Sequence, residues 1–471
     1  MKNIYFIILC FVVINANAQR EDHTWYFSAT NKGMFFDYTT NAVSITSVHA
    51  PLSYEGCGVS ADPITGDVLF YSNGIKVIDK SHTQMPNGGG LLGNITCATN
   101  GIPCPVPSQP TKYYLFCNSA NSPNAGTIYY SIIDMNIIGN GTALNPIGDV
   151  VSTQKNISVV TNASEGFAVV TGSNNDFWLV SPQNNSNIIR IYRITNTGIS
   201  LYNSITVSST IGDARTVRFS TANNKITIAN MVENQGSFLM DFNINNGSIS
   251  NFILVPGSIL GTTTNYWTGF CDSEWSPDGT KLYMSKYRMA SSSGRIYQYD
   301  LNFPSNPITL IHTLPGTSSN VAMGLQLAPD GKIYFLYVNS AYGDSRLIGV
   351  ISSPNIAGTG CNYVSNILDM GTSFPMTGIF PQFGLPYKYS PSMLNIVDLN
   401  SINVFPNPVN DNLNIEGFIG KNLQITDALG NVVINTINTG TVNVSSLSNG
   451  LYSLSVKGEQ KEFHTKIIVK R

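Results

Sequence analysis

The chain contains few charged residues. Its 471 residues include 25 Lys and Arg and 27 Asp and Glu, so 11% are charged and the net charge is −2. Soluble domains usually carry about 25% charged residues. Because there is no basic field to hold a phosphate backbone, the sequence predicts no nucleic-acid partner. Hydrophobic residues make up 42% of the chain, which is enough for a large core and excludes a disordered spacer.

Histidine and catalytic motifs are also scarce. There are only five histidines, and none lies in a His-x-His or His-x-x-x-His pair. The sequence contains no Gly-x-Ser-x-Gly elbow and no phosphate-binding loop. We therefore expect no metal centre of this kind and no organic cofactor. Calcium is the one cation left open, through the carboxylates described below.

Long hydrophobic runs are missing except at the start of the chain. Lys2 precedes an apolar stretch from Ile4 to Ile14, and Ala16-Asn17-Ala18 is a small-x-small cleavage site. This stretch is shorter than the roughly 20 residues of a membrane-spanning helix. The pattern predicts a signal peptide over residues 1–18 and no transmembrane segment in the mature chain, with an uncleaved anchor as the alternative.

Cysteine is infrequent, and its pairing is ambiguous. Removal of the signal peptide leaves an even number of thiols, which would pass through an oxidising periplasm. They are Cys57, Cys97, Cys104, Cys117, Cys271 and Cys361. Cys97 and Cys104 are close enough for a local disulfide around Gly101. Cys57 and Cys271 lie in apolar strands, which favours buried free thiols. None of the spacings is that of a metal site.

The region between the two ends repeats itself. A glycine or turn position followed by an apolar strand recurs at intervals of roughly 50 residues. These positions are near Gly56, Thr111, Gly166, Arg215, Gly269, Gly324 and Gly378. Within the repeats, Pro277-Asp278-Gly279 and Pro329-Asp330-Gly331 separate short apolar strands, which is typical of antiparallel hairpins. Three to four strands per repeat predict the blades of a β-propeller.

Seven repeats predict seven blades. The last repeat, Gly378–Gly384, is one strand long, and the N-terminal segment Trp25–Tyr38 contains the strands that it lacks. Joining both termini in one blade would leave no unpaired sheet edge. The alternative is six blades and a separate strand pair. We expect the protein to be a monomer.

The last 70 or so residues contain three motifs in a fixed order. The first is Phe405-Pro406-Asn407-Pro408, the second ends in Asp427-Ala428-Leu429-Gly430, and the third is Asn449-Gly450-Leu451-Tyr452. A basic strand, Lys466–Lys470, closes the chain. This region closely resembles the type A C-terminal sorting domain of the type IX secretion system of Bacteroidetes. The resemblance implies the type IX machinery as a partner, and passage through the periplasm to the cell surface or the medium.

A second resemblance concerns the repeats. Trp25-Tyr26-Phe27, Glu55-Gly56-Cys57, Val68–Gly74 and Met85–Gly88 resemble the N-terminal propeller of large Bacteroidetes surface proteins, and the Pro-Asp-Gly units resemble WD-like repeats. This resemblance implies a propeller fold and a location at the cell surface, and no activity. The predicted all-β organisation is a signal peptide (1–18), a seven-bladed propeller (19–388), a linker (389–400) and an Ig-like β-sandwich sorting domain (401–471).

Charged residues at the repeat starts are the candidate site. Propellers place the start of each innermost strand around a central channel, and six charged side chains fall there. They are Glu55, Glu165, Asp213, Arg215, Asp272 and Glu274. Converging carboxylates ligate Ca²⁺ or raise one another's pKa for acid–base work. We expect them on one face at the channel mouth; the alternative is that they are solvated or bonded to backbone groups. The loop from Met85 to Gly101 is a second candidate for binding.

These features favour a secreted or surface-attached protein whose propeller binds an extracellular glycan or protein. The alternative is a carbohydrate-active hydrolase or lyase that uses Glu55, Glu165 and Glu274. A purely structural surface component is a third hypothesis, and it predicts no defined pocket.

Overall fold

The structure is a computed structural model. It describes residues 20–27, 32–46, 55–262, 264, 267–287, 294–315, 321–339, 345–370, 380–383, 403–416, 422–427, 430–457 and 462–471. The chain divides into two compact units, Met1–Lys388 and Tyr389–Arg471. The predicted signal peptide and linker lie outside the described residues.

The first unit is built of β-sheets, as predicted. Its N-terminal sheet contains β1 (Thr24–Tyr26), β2 (Gly33–Phe36) and β3 (Val43–Thr46). The next sheet contains β4 (Gly58–Ala61), β5 (Val68–Ser72), β6 (Lys76–Asp79) and β7 (Gln84–Gly89). A third contains β8 (Ile102–Val106), β9 (Gln109–Asn118), β10 (Gly126–Asp134), β11 (Asp149–Val150) and β12 (Ile157–Ala163).

Four further sheets have four consecutive antiparallel strands each. They are β13 to β16 (Ala168–Thr171, Phe177–Pro182, Ser186–Thr195, Gly198–Ile211), β17 to β20 (Ala214–Ser220, Lys225–Asn230, Phe238–Asn243, Ser248–Leu254), β21 to β24 (Phe270–Trp275, Lys281–Lys286, Arg295–Asp300, Thr309–Thr313) and β25 to β28 (Val321–Leu327, Ile333–Asn339, Ser345–Ile351, Tyr363–Asp369). Short 3-10 helices occur at Ser152–Gln154 and Gly358–Cys361. No helix among the described residues is both long and apolar enough to span a bilayer.

Each sheet shares a hydrophobic core with the next. For example, Trp178 of β14 packs in one cluster with Ile228 of β18, and Tyr283 of β22 packs in another with Phe335 of β26. The last sheet packs on the first, because Trp25 of β1 lies 5.8 Å from the ring of Tyr334 in β26. As a result the inner strands are buried along nearly their whole length, as in β17 and β21.

The C-terminal end of the first unit differs from the sequence prediction. Strand β29 (Gln382–Phe383) pairs in parallel with Gly58–Val59 of β4, and not with the N-terminal strands. It reaches the N-terminal sheet through packing, since Phe383 lies 5.7 Å from the ring of Trp25. Gly378 and Ile379 lie outside the described residues.

Two details of the predicted repeats are wrong. Thr111 lies inside β9, the second strand of its sheet, because the preceding turn is at Gly101 (φ +68°) and β8 follows it directly. The segment from Met85 was interpreted as a loop, but it begins within β7, which pairs with β6. Only the residues after Gly89 are irregular.

The Pro-Asp-Gly segments are hairpin turns, as predicted. Gly279 has φ +69° and donates its N–H to Ser276 O at 2.8 Å, which closes the turn between β21 and β22. Asp278 Oδ1 accepts a hydrogen bond from Thr280 N at 2.9 Å. Gly331 repeats this geometry between β25 and β26.

The six cysteines among the described residues are all buried, and none of them is bridged to another. This corrects the predicted local disulfide: Cys97 donates a hydrogen bond to Thr99 O, whereas Cys104 is directed to Pro105 O in β8. Burial raises the pKa of both thiols. Cys57 and Cys271 are fully buried, as expected.

The second unit contains two sheets. One contains β30 (Asn403–Phe405), β31 (Asn412–Glu416) and β34 (Thr441–Asn443). The other contains β32 (Asn422–Thr426), β33 (Val432–Ile437), β35 (Gly450–Lys457) and β36 (Glu462–Val469). Alternate side chains of both sheets, including Leu413, Ile415, Leu423 and Leu454, are fully buried in one common core.

Candidate functional site

A buried arginine joins two of the predicted carboxylates. Arg215 Nη2 donates to Glu55 Oε2 at 2.9 Å, and Nη1 donates to Glu165 Oε2 at 3.1 Å. The guanidinium carbon lies 4.8 Å from the ring centre of Trp267. Arg215 and Glu55 have no exposed surface, and Glu165 is 1% exposed. The three residues lie at or just before the starts of three different sheets, so this cluster links those sheets.

Backbone groups complete the cluster. Glu165 Oε2 also accepts Ala98 N at 3.0 Å, and Oε1 accepts Ser122 N at 2.8 Å. Ser122 Oγ donates to Asp213 Oδ2. Burial raises the pKa of Asp213 to about 6, with the Ser122 hydrogen bond acting in the opposite direction.

The pKa of Asp213 makes a pH-dependent prediction. The Asp213 carboxyl group binds a proton more tightly in the folded state than in the unfolded state. Its contribution to the stability of the fold is therefore lost progressively as pH rises from about 4 through about 6. Relative to Asp213→Asn, the native protein is expected to lose up to about 3 kcal/mol of unfolding free energy over this range. Urea unfolding of both proteins from pH 4 to pH 8 measures it. A pH-independent difference between them would contradict the prediction.

A second arginine, Arg218, links residues of several sheets. Arg218 Nε and Nη2 donate to the two carboxylate oxygens of Asp272 at 3.1 and 2.8 Å. Nη1 donates to Gln382 Oε1 at 3.1 Å and to Gln326 Oε1 at 3.4 Å. Asp272 Oδ2 also accepts Leu325 N. Arg218 therefore connects strands of four sheets.

Beyond this layer the channel opens into a cavity of about 410 Å³. Its walls are parts of the innermost strands, including Ile102, Val169, Val217, Glu274 and Leu327. Glu274 accepts hydrogen bonds from Trp275 N at 2.7 Å and Leu327 N at 3.1 Å. Burial raises its pKa, against the lowering effect of Arg218.

The six predicted residues thus divide into two groups. Glu55, Glu165, Asp213 and Arg215 interact with one another, whereas Asp272 and Glu274 interact with Arg218. The alternative of solvated side chains does not hold, because all six are at most 7% exposed, and their placement on one face at a channel mouth stays a prediction. They are held by arginines and backbone N–H groups. No group of three or more His, Cys, Asp or Glu in the described part of the chain is arranged to hold a metal ion.

The sequence prediction missed several cavity residues. Glu21, Asp22, Arg218, Gln326 and Gln382 were not selected, although all five line the cavity. Gln382 lies in the predicted seventh repeat, and Arg218 is the one charged residue within Thr216–Ser220. The available sequence signal was the charge of Arg218 between two apolar residues, Val217 and Phe219.

The motifs of the C-terminal unit have structural roles. Asn407 joins the first motif to the last strand. Its Nδ2 donates a hydrogen bond to Lys466 O, and its Oδ1 accepts one from Ile468 N, both at 2.9 Å. Asp427 accepts Asn431 N in a turn where Gly430 has φ +87°. Asn449 accepts Arg471 N at 3.0 Å. Phe405 and Leu451 are about half exposed.

Residues 403–470 match the family model of the secretion system C-terminal sorting domain. The C-terminal unit is a type IX sorting domain. The protein is therefore exported by the type IX secretion system to the cell surface or the medium. The sorting domain carries all three motifs selected from the sequence.

Solved structures similar to most of the chain were also found. PorZ, a surface component of the type IX secretion system of Porphyromonas gingivalis, matches at 10% identity with a TM-score of 0.30, over 94% of this chain and 68% of that chain. A putative 6-phosphogluconolactonase from Bacteroides uniformis matches at 12% identity and TM-score 0.44, over 76% of this chain and 97% of its own. The β-propeller domain of Cps50 from Myceliophteria thermophila matches at 10% identity with a TM-score of 0.40, over 70% of this chain and 97% of that chain. At these values the similarities carry no argument about function. No curated protein matches the chain.

Proposed function

We propose that residues 19–388 form a seven-bladed propeller, followed by a linker (389–400) and an Ig-like sorting domain (401–471). The seven sheets of the first unit support this, since each shares a core with the next and Trp25 joins the last to the first. Tyr26 also packs with Val59 and Tyr71 of the following sheet. Closure of the ring would protect the edges of the sheets.

The propeller acts as the binding module of an exported, monomeric protein and recognises an extracellular glycan or protein. The observation that carries this proposal is the cavity of about 410 Å³ at one end of the channel. Ligand pockets usually have volumes of about 300–1,000 Å³, apolar walls and a few polar groups. The cavity meets this description and is formed by rigid inner strands rather than by long loops.

The arrangement of the carboxylates argues against the glycosidase alternative. That mechanism needs two carboxyl groups facing one substrate across roughly 5–9.5 Å. Glu55 and Glu165 instead share the guanidinium of Arg215 and are closed off from the cavity. Of the three carboxylates proposed for catalysis, Glu274 alone is in the cavity lining.

A glycan array and a surface-protein overlay with the mature protein test the proposal. Thr221 is exposed and lines the cavity mouth, so Thr221→Trp should obstruct it and weaken binding by roughly tenfold or more. Leu144→Trp is the matched control, because Leu144 is 99% exposed and lies outside the cavity. Absence of any ligand, or equal binding by both variants, would contradict the proposed function.

A further inference from the structure

The channel cavity is acidic. Glu21, Asp22 and Glu274 line it, and Asp272 lies directly behind. Arg218 is the basic residue of the lining, and its guanidinium is already bound to Asp272, Gln382 and Gln326. The charge of Arg218 is therefore offset within the wall, and the carboxyl groups determine the sign of the cavity.

Glu21 is the side chain that points to a ligand. It is only 7% exposed, and its Oε1 is buried with no hydrogen-bond partner among the described residues. A buried polar atom without a partner is unfavourable, so such atoms in native proteins require an explanation. Burial, and then the charges of Asp22 and Asp62, raise the pKa of Glu21 to about 7. Burial also raises the pKa of Asp22.

The rest of the lining is apolar. Ile102, Val169, Val217 and Leu327 form aliphatic walls, and Phe219 and Phe383 add aromatic rings. A hydrated divalent ion needs several oxygen ligands at 2.0–2.6 Å, which does not suit these walls. An ammonium group with a hydrocarbon body fits both parts of the cavity, since carboxylates and aromatic faces attract it and the walls bury its body.

We infer that a protein ligand presents a compact organic ammonium, such as a lysine side chain, to the cavity, with Glu21 and Asp22 as its counter-charges and Phe219 and Phe383 against its apolar stem. This inference rests on the proposed function and names the ligand class of the same site. Glu21, three residues before β1, is then the main determinant of specificity.

Binding should depend on pH because Glu21 must be ionised to attract the cation. The charged groups around it are Asp22 and Asp62, Arg20, whose guanidinium lies over the Tyr38 ring, and Arg218 and Glu274 across the cavity. His23 adjoins it, with Nδ1 bonded to Phe36 O. As pH rises from 6 to 8 through the pKa of Glu21, the affinity for an ammonium should increase roughly tenfold.

Isothermal titration of the mature protein with phenethylammonium and with its neutral isostere 2-phenylethanol tests the inference. We expect the ammonium to bind more tightly, and its binding to weaken about tenfold or more in Glu21→Gln, since charge-assisted hydrogen bonds contribute on that order. Asp22→Asn should weaken it in the same direction. Asp134→Asn, which removes one negative charge outside the cavity, should bind like the native protein. Urea unfolding confirms that each variant is folded.

The two proposals fail in different ways. Equal binding of the ammonium and the alcohol, no binding of either, or unchanged affinity in a folded Glu21→Gln variant would overturn the ammonium inference. Each of these results leaves the array test of Thr221→Trp to decide the proposed function separately. Tighter binding of the ammonium that is lost with Glu21 supports both proposals.

Discussion

Deletion of residues 400–471 is expected to abolish appearance of the protein at the cell surface and in the medium. The deleted region is the sorting domain, with its own core around Leu413, Ile425, Leu454 and Ile467. The first unit has separate cores, so it should fold and accumulate in the periplasm. Immunoblots of periplasm, surface and medium, combined with protease resistance of the periplasmic material, measure the effect.

Two comparisons make this deletion experiment specific. The same sorting domain, residues 389–471, fused to an unrelated periplasmic reporter should direct the reporter out of the periplasm. A folded chain that still reaches the surface without residues 400–471 would show that another segment directs export. Degradation of the shortened chain would instead show that the first unit depends on the sorting domain.

Arg215→Met is expected to destabilise the first unit by about 3–5 kcal/mol, because it leaves the buried carboxylates of Glu55 and Glu165 without their cation. Urea unfolding at neutral pH measures the change. The control is Lys112→Met, since Lys112 is 35% exposed and 3.9 Å from Asp134. Exposed pairs of this kind contribute about 0–1 kcal/mol.

A triple variant separates the loss of charge pairing from the loss of packing. Arg215→Met combined with Glu55→Gln and Glu165→Gln removes the unpaired charges, so it should be more stable than Arg215→Met alone. If the loss of unfolding free energy in the triple variant instead equals the summed losses of its three single variants, the packing of Arg215 against Trp267 is the larger contribution.

Local sequence signals predicted the strands and turns well. The Pro-Asp-Gly turns depend on the backbone preferences of three adjacent residues, and both turns form where the sequence placed them. The position of the second repeat was wrong by one strand because Gly101 and Thr111 are both compatible with a strand start.

The candidate site could be predicted only in part. The sequence selected Glu55, Glu165 and Arg215, but their ion pairs join residues up to 160 positions apart. Which carboxylate faces an arginine and which faces a cavity depends on the closure of the ring, which no local pattern specifies. For the same reason Glu21 could not be selected, since its neighbours in space come from distant strands.

Strand β29 has a mechanical consequence. Its two residues, Gln382 and Phe383, pair with Gly58–Val59, and Gln382 also contacts Arg218. They lie just before the chain continues towards the sorting domain, so tension applied to that domain during translocation reaches this short ladder first. Resistance to such pulling is determined by the unfolding rate rather than by equilibrium stability. We therefore expect the hydrogen bond between Gln382 and Arg218 to slow the detachment of β29 when the sorting domain is pulled.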